Sequence, residues 1–123
     1  MENVAWAFNR GVFPTQDAFN ERIRDYQIAI KKEDGWNADE VVFSHPSIQI
    51  CYEYWTADED EVEEVIELKA DNKEFFTKGE LLFKLHNAVV DNLENGDHIF
   101  FEGLTLSDTE FEDKPFYWMY LGS

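Results

Sequence analysis

Only one cysteine occurs, Cys51, so no internal disulfide can form and the thiol content gives no sign of an oxidising compartment. There is no continuous apolar stretch near the ~20 residues that a membrane helix requires. Residues 1–10 lack the basic start and apolar run of a signal peptide, so the expected location is cytoplasmic. Glycine is scarce and scattered singly: 6 residues form no phosphate-cradling loop and no Gly-x-Ser-x-Gly nucleophile turn. With no stretch rich in Gly, Pro or Ser, nothing marks a linker, and 123 residues suit one domain, residues 1–123. Basic residues are few, 10 Lys and Arg against 27 Asp and Glu, which argues against a nucleic-acid or anionic-membrane surface.

What the chain does have is acid and aromatic rings. The net charge is −17, and aromatics make up 16% of the residues, too many for a disordered chain. A charge of that size favours solubility and speeds encounter with basic proteins. It is unevenly placed. Residues 1–32 hold five basic and four acidic side chains, so the whole negative excess lies in the remaining residues. One near-neutral side and one strongly negative side are expected.

Helical spacing of Phe19, Ile23, Tyr26 and Ile30, with Thr15 as N-cap and Asp17 in the first turn, predicts a first helix. Val41 to Phe43 reads as a short strand. From Ser47 to Trp55 the pattern alternates, with Ile48, Ile50, Tyr52 and Tyr54 on one face and Gln49, Cys51, Glu53 and Trp55 on the other. Residues 56–70 allow two readings. Thr56 to Glu59 has the form of a helix-capping box, whereas Ile66, Leu68 and Ala70 alternate and the β-branched content favours a strand, which we prefer over 62–70. A second capping box, Thr77 to Glu80, opens a helix whose apolar stripe is Leu82, Leu85, His86, Val89 and Leu93, ended by Asn95-Gly96. Strands follow at 98–104 and 116–121, separated by an acidic loop. The uncharged last strand is expected in the middle of the sheet, because an exposed apolar edge invites aggregation. The fold class is therefore α+β: a single antiparallel sheet of four to five strands, with two helices packed on one face.

Chemistry-bearing patterns are sparse. The run Asp58-Glu59-Asp60-Glu61-Val62-Glu63-Glu64 lacks the glycine and ligand spacing of a calcium loop. His45, His86, His98 and Cys51 do not have structural-zinc spacing, so no metal or cofactor is expected. A Cys-His nucleophile pair of Cys51 with His86 or His98 would need an electropositive setting that this chain hardly offers. The acidic run is either a solvated face or a docking surface for basic side chains. Trp55 beside it is either a cap on the sheet edge or an aromatic anchor ringed by charge, the usual anatomy of a binding hot spot. As a docking surface it comprises Trp55, Asp58, Glu59, Asp60, Glu61, Glu63 and Glu64, with a second patch at Asp108, Glu110, Glu112 and Asp113.

Two segments carry a resemblance. FTKGELLFKLHN (residues 76–87) and DHIFFEGLTL (residues 97–106), running on to Pro115, Tyr117 and the ending Leu121-Gly122-Ser123, resemble small bacterial proteins of the kind found as immunity proteins in polymorphic-toxin systems. The similarity covers about the last half of the chain, and its motifs are a helix cap, a helix face and a strand with its turn. The resemblance implies neutralisation of a cognate toxin by direct binding, with no catalytic residue to transfer. Toxins that act on nucleic acids hold phosphates in basic clefts, and an acidic protein suits such a cleft. Two other readings remain open: an adaptor domain whose charge serves solubility, and a small ligand-binding domain or enzyme. Clustering of His86, His98, Cys51 and Glu102 around a concave site would favour the last.

Overall fold

The computed structural model describes residues 4–31, 36–56, 58, 60–94, 96, 98–106 and 116–122. Helix α1 spans Gln16–Ala29, and Thr15 caps it, its side-chain oxygen accepting from the Ala18 N–H at 3.1 Å. Phe19 and Ile23 are buried as the spacing predicts. The next buried position is Gln27, while Ile30, expected to continue the stripe, is exposed beyond the last turn. A buried amide needs partners. Gln27 finds both in one residue: its Nε2 donates to the Ala5 carbonyl and its Oε1 accepts from the Ala5 N–H at 3.3 Å. Asn87 does the same for Phe13, accepting from its N–H at 2.9 Å and donating to its carbonyl at 3.0 Å. Two amide side chains thus stand in for strand partners and tie the N-terminal segment to the helices.

Strand β1 (Val41–Phe43) pairs antiparallel with β4 (Phe76–Thr77), and this pair forms a small sheet of its own. The main sheet has four strands in the order β3-β2-β6-β5, where β2 is Ser47–Trp55, β3 Glu61–Lys69, β5 Phe100–Leu106 and β6 Phe116–Gly122. The expectation of a single antiparallel sheet is corrected on two counts. There are two sheets, and β2 runs parallel to β6. Short loops dictate antiparallel neighbours, and that logic holds for β2 with β3. The β2–β6 pairing is made across a long crossover containing α2 (Lys78–Leu93), which loop length cannot foresee. The uncharged β6 does lie between two other strands.

The ambiguous 56–70 segment is a hairpin arm. Thr56, whose spacing resembled a helix cap, closes the turn instead: its N–H donates to the Asp60 carbonyl at 2.9 Å and its Oγ1 accepts from the Asp60 N–H at 3.2 Å. The second capping box behaves as read, with Thr77 Oγ1 accepting from the Glu80 N–H at 3.2 Å. Buried Glu80 also accepts from the Asp71 N–H and from Lys84, each at 2.8 Å, clamping the 71–75 turn onto α2. In β5 the register slips between Phe101 and Gly103, where Gly103 takes φ 128°, a conformation open to glycine.

One continuous core joins the helices to one face of the main sheet. Ile48, Ile50, Tyr52, Leu68, Phe101, Tyr117 and Met119 from the strands meet Phe19, Ile23, Leu82, Leu85 and Val89 from α1 and α2. Phe8, also fully buried, enters the same core from the N-terminal segment, which adds a short edge beyond β5 through the Ala7–Phe100 bridge. Among the described residues no helix is long and apolar enough to cross a membrane.

Candidate functional site: an acidic, aromatic sheet face

Strand alternation divides the main sheet into an inner face on the core and an outer face. Register alone places Gln49, Cys51, Glu53 and Trp55 of β2 on the outer face beside Glu67, Val65, Glu63 and Glu61 of β3. The same rule puts Phe116, Trp118 and Tyr120 of β6 there, with Phe116 opposite Gln49 and Trp118 opposite Cys51. The buried cluster that joins α1 and α2 to the sheet draws Ile48, Ile50, Tyr52, Leu68, Tyr117 and Met119 from the other face. Aromatic and aliphatic side chains of the outer face reach solvent: Trp55 is 54% exposed, Tyr120 52% and Val65 44%. The middle of the face is nonetheless closed, since Gln49 and Cys51 are buried and Phe116 and Trp118 meet edge to face at 5.5 Å.

The carboxylates on this face are crowded. Glu53 is held above the usual carboxylate range, first by a hydrogen bond with Glu61, then by the charge of Glu61, with burial and Glu63 adding to it. Two carboxylates that close repel each other, which favours the neutral form of Glu53. Among the described residues, none of Glu53, Asp58, Asp60, Glu61, Glu63 and Glu64 forms an ion pair; the ion pairs there link Lys69 to Glu67, Lys78 to Glu40, and Lys84 to Asp71 and Glu80. The negative charge is therefore not compensated from within that part of the chain.

The structure sorts the expected site residues. Trp55, Asp58, Asp60, Glu61 and Glu63 are exposed at or beside the end of the β2–β3 hairpin. Glu64 faces the other way. Its Oε2 accepts from the Tyr52 hydroxyl at 2.8 Å and from Asn92 Nδ2 at 2.9 Å, so it holds α2 to the sheet. Glu59, Asp108, Glu110, Glu112 and Asp113 lie outside the described residues. Sequence reasoning missed Glu53, Trp118 and Tyr120. Alternation already placed Glu53 on the face of Trp55, but nothing local tells that β6 lies next to β2.

The parallel pairing of β2 with β6 is short. It runs from Gln49 opposite Phe116 to Cys51 opposite Trp118 and stops, while β2 stays paired with β3 to Trp55 and β6 with β5 to Gly122. Past that point the sheet opens into a V. A groove of about 300 Å³ lies in the opening, lined by Tyr52, Glu53 and Trp55 on one side, Trp118, Met119, Tyr120 and Leu121 on the other, and His98. That is the low end of the roughly 300–1,000 Å³ typical of small-molecule sites.

The nucleophile pair does not assemble. His86 sits in the core with both ring nitrogens engaged: Trp6 Nε1–H donates to Nδ1 at 3.0 Å, and Nε2 lies 2.7 Å from the Gly11 carbonyl. Because the indole N–H only donates, Nδ1 accepts and Nε2 carries the proton to Gly11. Cys51 belongs to the opposite sheet face, where burial, then the charge and hydrogen bond of Glu63, push its thiol up to about 12. At pH 8, alkylation of Cys51 in the folded protein is expected to run on the order of a thousandfold slower than in urea, following the loss of thiolate; a rate within tenfold of the unfolded value would contradict this setting. Among the described residues no group of His, Cys, Asp and Glu is placed to hold a metal ion.

Comparison with known proteins gave no match to a family model, a curated protein or a solved structure.

Proposed function

We propose that this chain is a protein-binding module that docks a basic partner on the outer face of its main sheet, in the manner of an immunity protein that blocks a toxin. The observation that carries the reading is the exposure of aromatic rings among carboxylates on that face. Exposed Trp55 and Tyr120 sit among Glu53, Glu61 and Glu63, carboxylates that no lysine or arginine of the described chain neutralises. Large rings surrounded by charge give an interface both slow release and fast encounter: the rings bury area, and the charges steer. Arg22 and Arg24 belong to α1, and Lys31 follows it, so these cations come from elements other than the strands that carry this face.

The test is co-expression with the product of the neighbouring gene, as toxin and immunity genes adjoin, followed by isolation of the complex. Wild-type protein is expected to protect the host and to purify with that product, and Trp55→Ala, which changes an exposed side chain, to weaken binding about tenfold or more, the scale of an aromatic hot spot. A neighbour that neither harms the host nor binds would overturn the toxin reading. Binding unaffected by Trp55→Ala would move the interface elsewhere.

A further inference from the structure

We infer that the V-shaped opening between β2 and β6 is a receptor for one arginine side chain, presented by the basic partner; this rests on the docking reading above. In this opening aromatic rings, a carboxylate and a break in strand pairing coincide. Trp55 and Glu53 come from β2, Trp118 and Tyr120 from β6, and Met119 closes the groove from the core side. Each feature selects for a guanidinium. Indole and phenol faces attract a cation through the ring quadrupole, and a planar, weakly hydrated guanidinium stacks on them where an ammonium keeps its water. Glu53 supplies a counter-charge that accepts two parallel hydrogen bonds. Beyond Cys51 and Trp118 the two strands no longer pair, and main-chain carbonyls on those edges would accept from the remaining N–H groups of a five-donor side chain.

The crowding of the acids points the same way. Glu53 is raised by the hydrogen bond and charge of Glu61, and an incoming guanidinium would relieve that repulsion. The size also fits. A groove of about 300 Å³ holds one long side chain and leaves no room for a dinucleotide or a folded peptide.

The probe is acetylated, amidated arginine, titrated into the full chain while the four tryptophan indole N–H resonances are followed by NMR at 20 and 150 mM NaCl. Saturable movement of the Trp55 and Trp118 signals in the millimolar range is expected. Glu53→Gln and Trp55→Ala should each weaken it three- to tenfold. Glu74→Gln, which removes the same charge from an exposed turn outside the groove, should not. The citrulline counterpart, of like shape and no charge, should bind at least tenfold more weakly, and the lysine counterpart more weakly than arginine. Equal binding of citrulline, or equal weakening by Glu74→Gln, would overturn the receptor. Association of the partner separates this claim from the wider one. A partner that binds Glu53→Gln as tightly as wild type, yet is lost on reversal of Glu61 and Glu63, would refute the arginine receptor and leave the docking face standing. Binding of the arginine probe with no binding of any basic partner would do the reverse.

Discussion

Replacing His86 with alanine is expected to lower stability by about 3 kcal/mol or more at pH 7, the combined scale of a core cavity and two orphaned hydrogen-bonding groups. The ring is at the centre of an aromatic cluster, with centroids 5.1 Å from Phe13, 5.4 Å from Phe19 and 5.6 Å from Trp6. Removing it leaves the buried Trp6 indole N–H and the half-buried Gly11 carbonyl without their partner. The same geometry sets a pH signature. Burial holds the His86 imidazole below its ordinary value of 6.5, more strongly than the Gly11 carbonyl and the charge of Glu94 act to raise it. The unfolded chain therefore takes up a proton that the folded chain refuses. The stabilising share of His86 is fully present above about pH 6.5 and is lost as the pH falls through its lowered folded value. Urea unfolding of wild type and His86→Ala from pH 8 to 5 checks both parts: the gap between the two should narrow towards acid. A gap that widens would mean the ring is protonated in the fold and the assigned tautomer is wrong.

Reversing Glu53, Glu61 and Glu63 to lysine should slow association with a basic partner by ten- to a hundredfold at low salt, and should flatten its dependence on ionic strength. Steering acts over about the Debye length, some 8–10 Å at physiological salt, so the largest difference is expected well below 0.1 M. Dissociation should change less than association, as it is governed by the rings. A second consequence concerns the free protein. Because Glu53 is raised by its acidic neighbours, the isolated fold loses stability as the pH rises above the usual carboxylate range, where the folded chain holds a proton that the unfolded chain has released. The reversed variant should lose that slope. Stopped-flow association across a salt series, with urea unfolding of the unbound protein, reads both effects. Unchanged association rates would remove the acidic face from the docking pathway, whatever the stability does.

Much of the fold was legible because it follows from local rules. Thr15 and Thr77 cap their helices as read, and the capped spacing of Phe19 and Ile23, or of Leu82, Leu85 and Val89, becomes core. At Thr56 the same local rule left two readings, and the preferred strand is what forms, since a hydroxyl four residues before an amide serves a hairpin turn as well as a helix start. Gln27 escaped notice because a polar residue is buried only when a partner is waiting, and Ala5 is brought to it by the tertiary fold. Glu64 was assigned to the surface by composition, whereas the pleat of β3 turns it inward to Tyr52 and Asn92.

By itself the chain determined its helices, the alternation of β2 and β3, the acidic excess and the face that Trp55 shares with Glu53, all set by periods of 3.6 and 2 and by composition. Only the tertiary structure decided that β6 would lie parallel to β2, that the two would part after three residues, and that Trp118 and Tyr120 would thereby line one groove with Trp55. Pairing between strands so far apart in sequence is chosen by what the whole core can bury, and no local spacing encodes it.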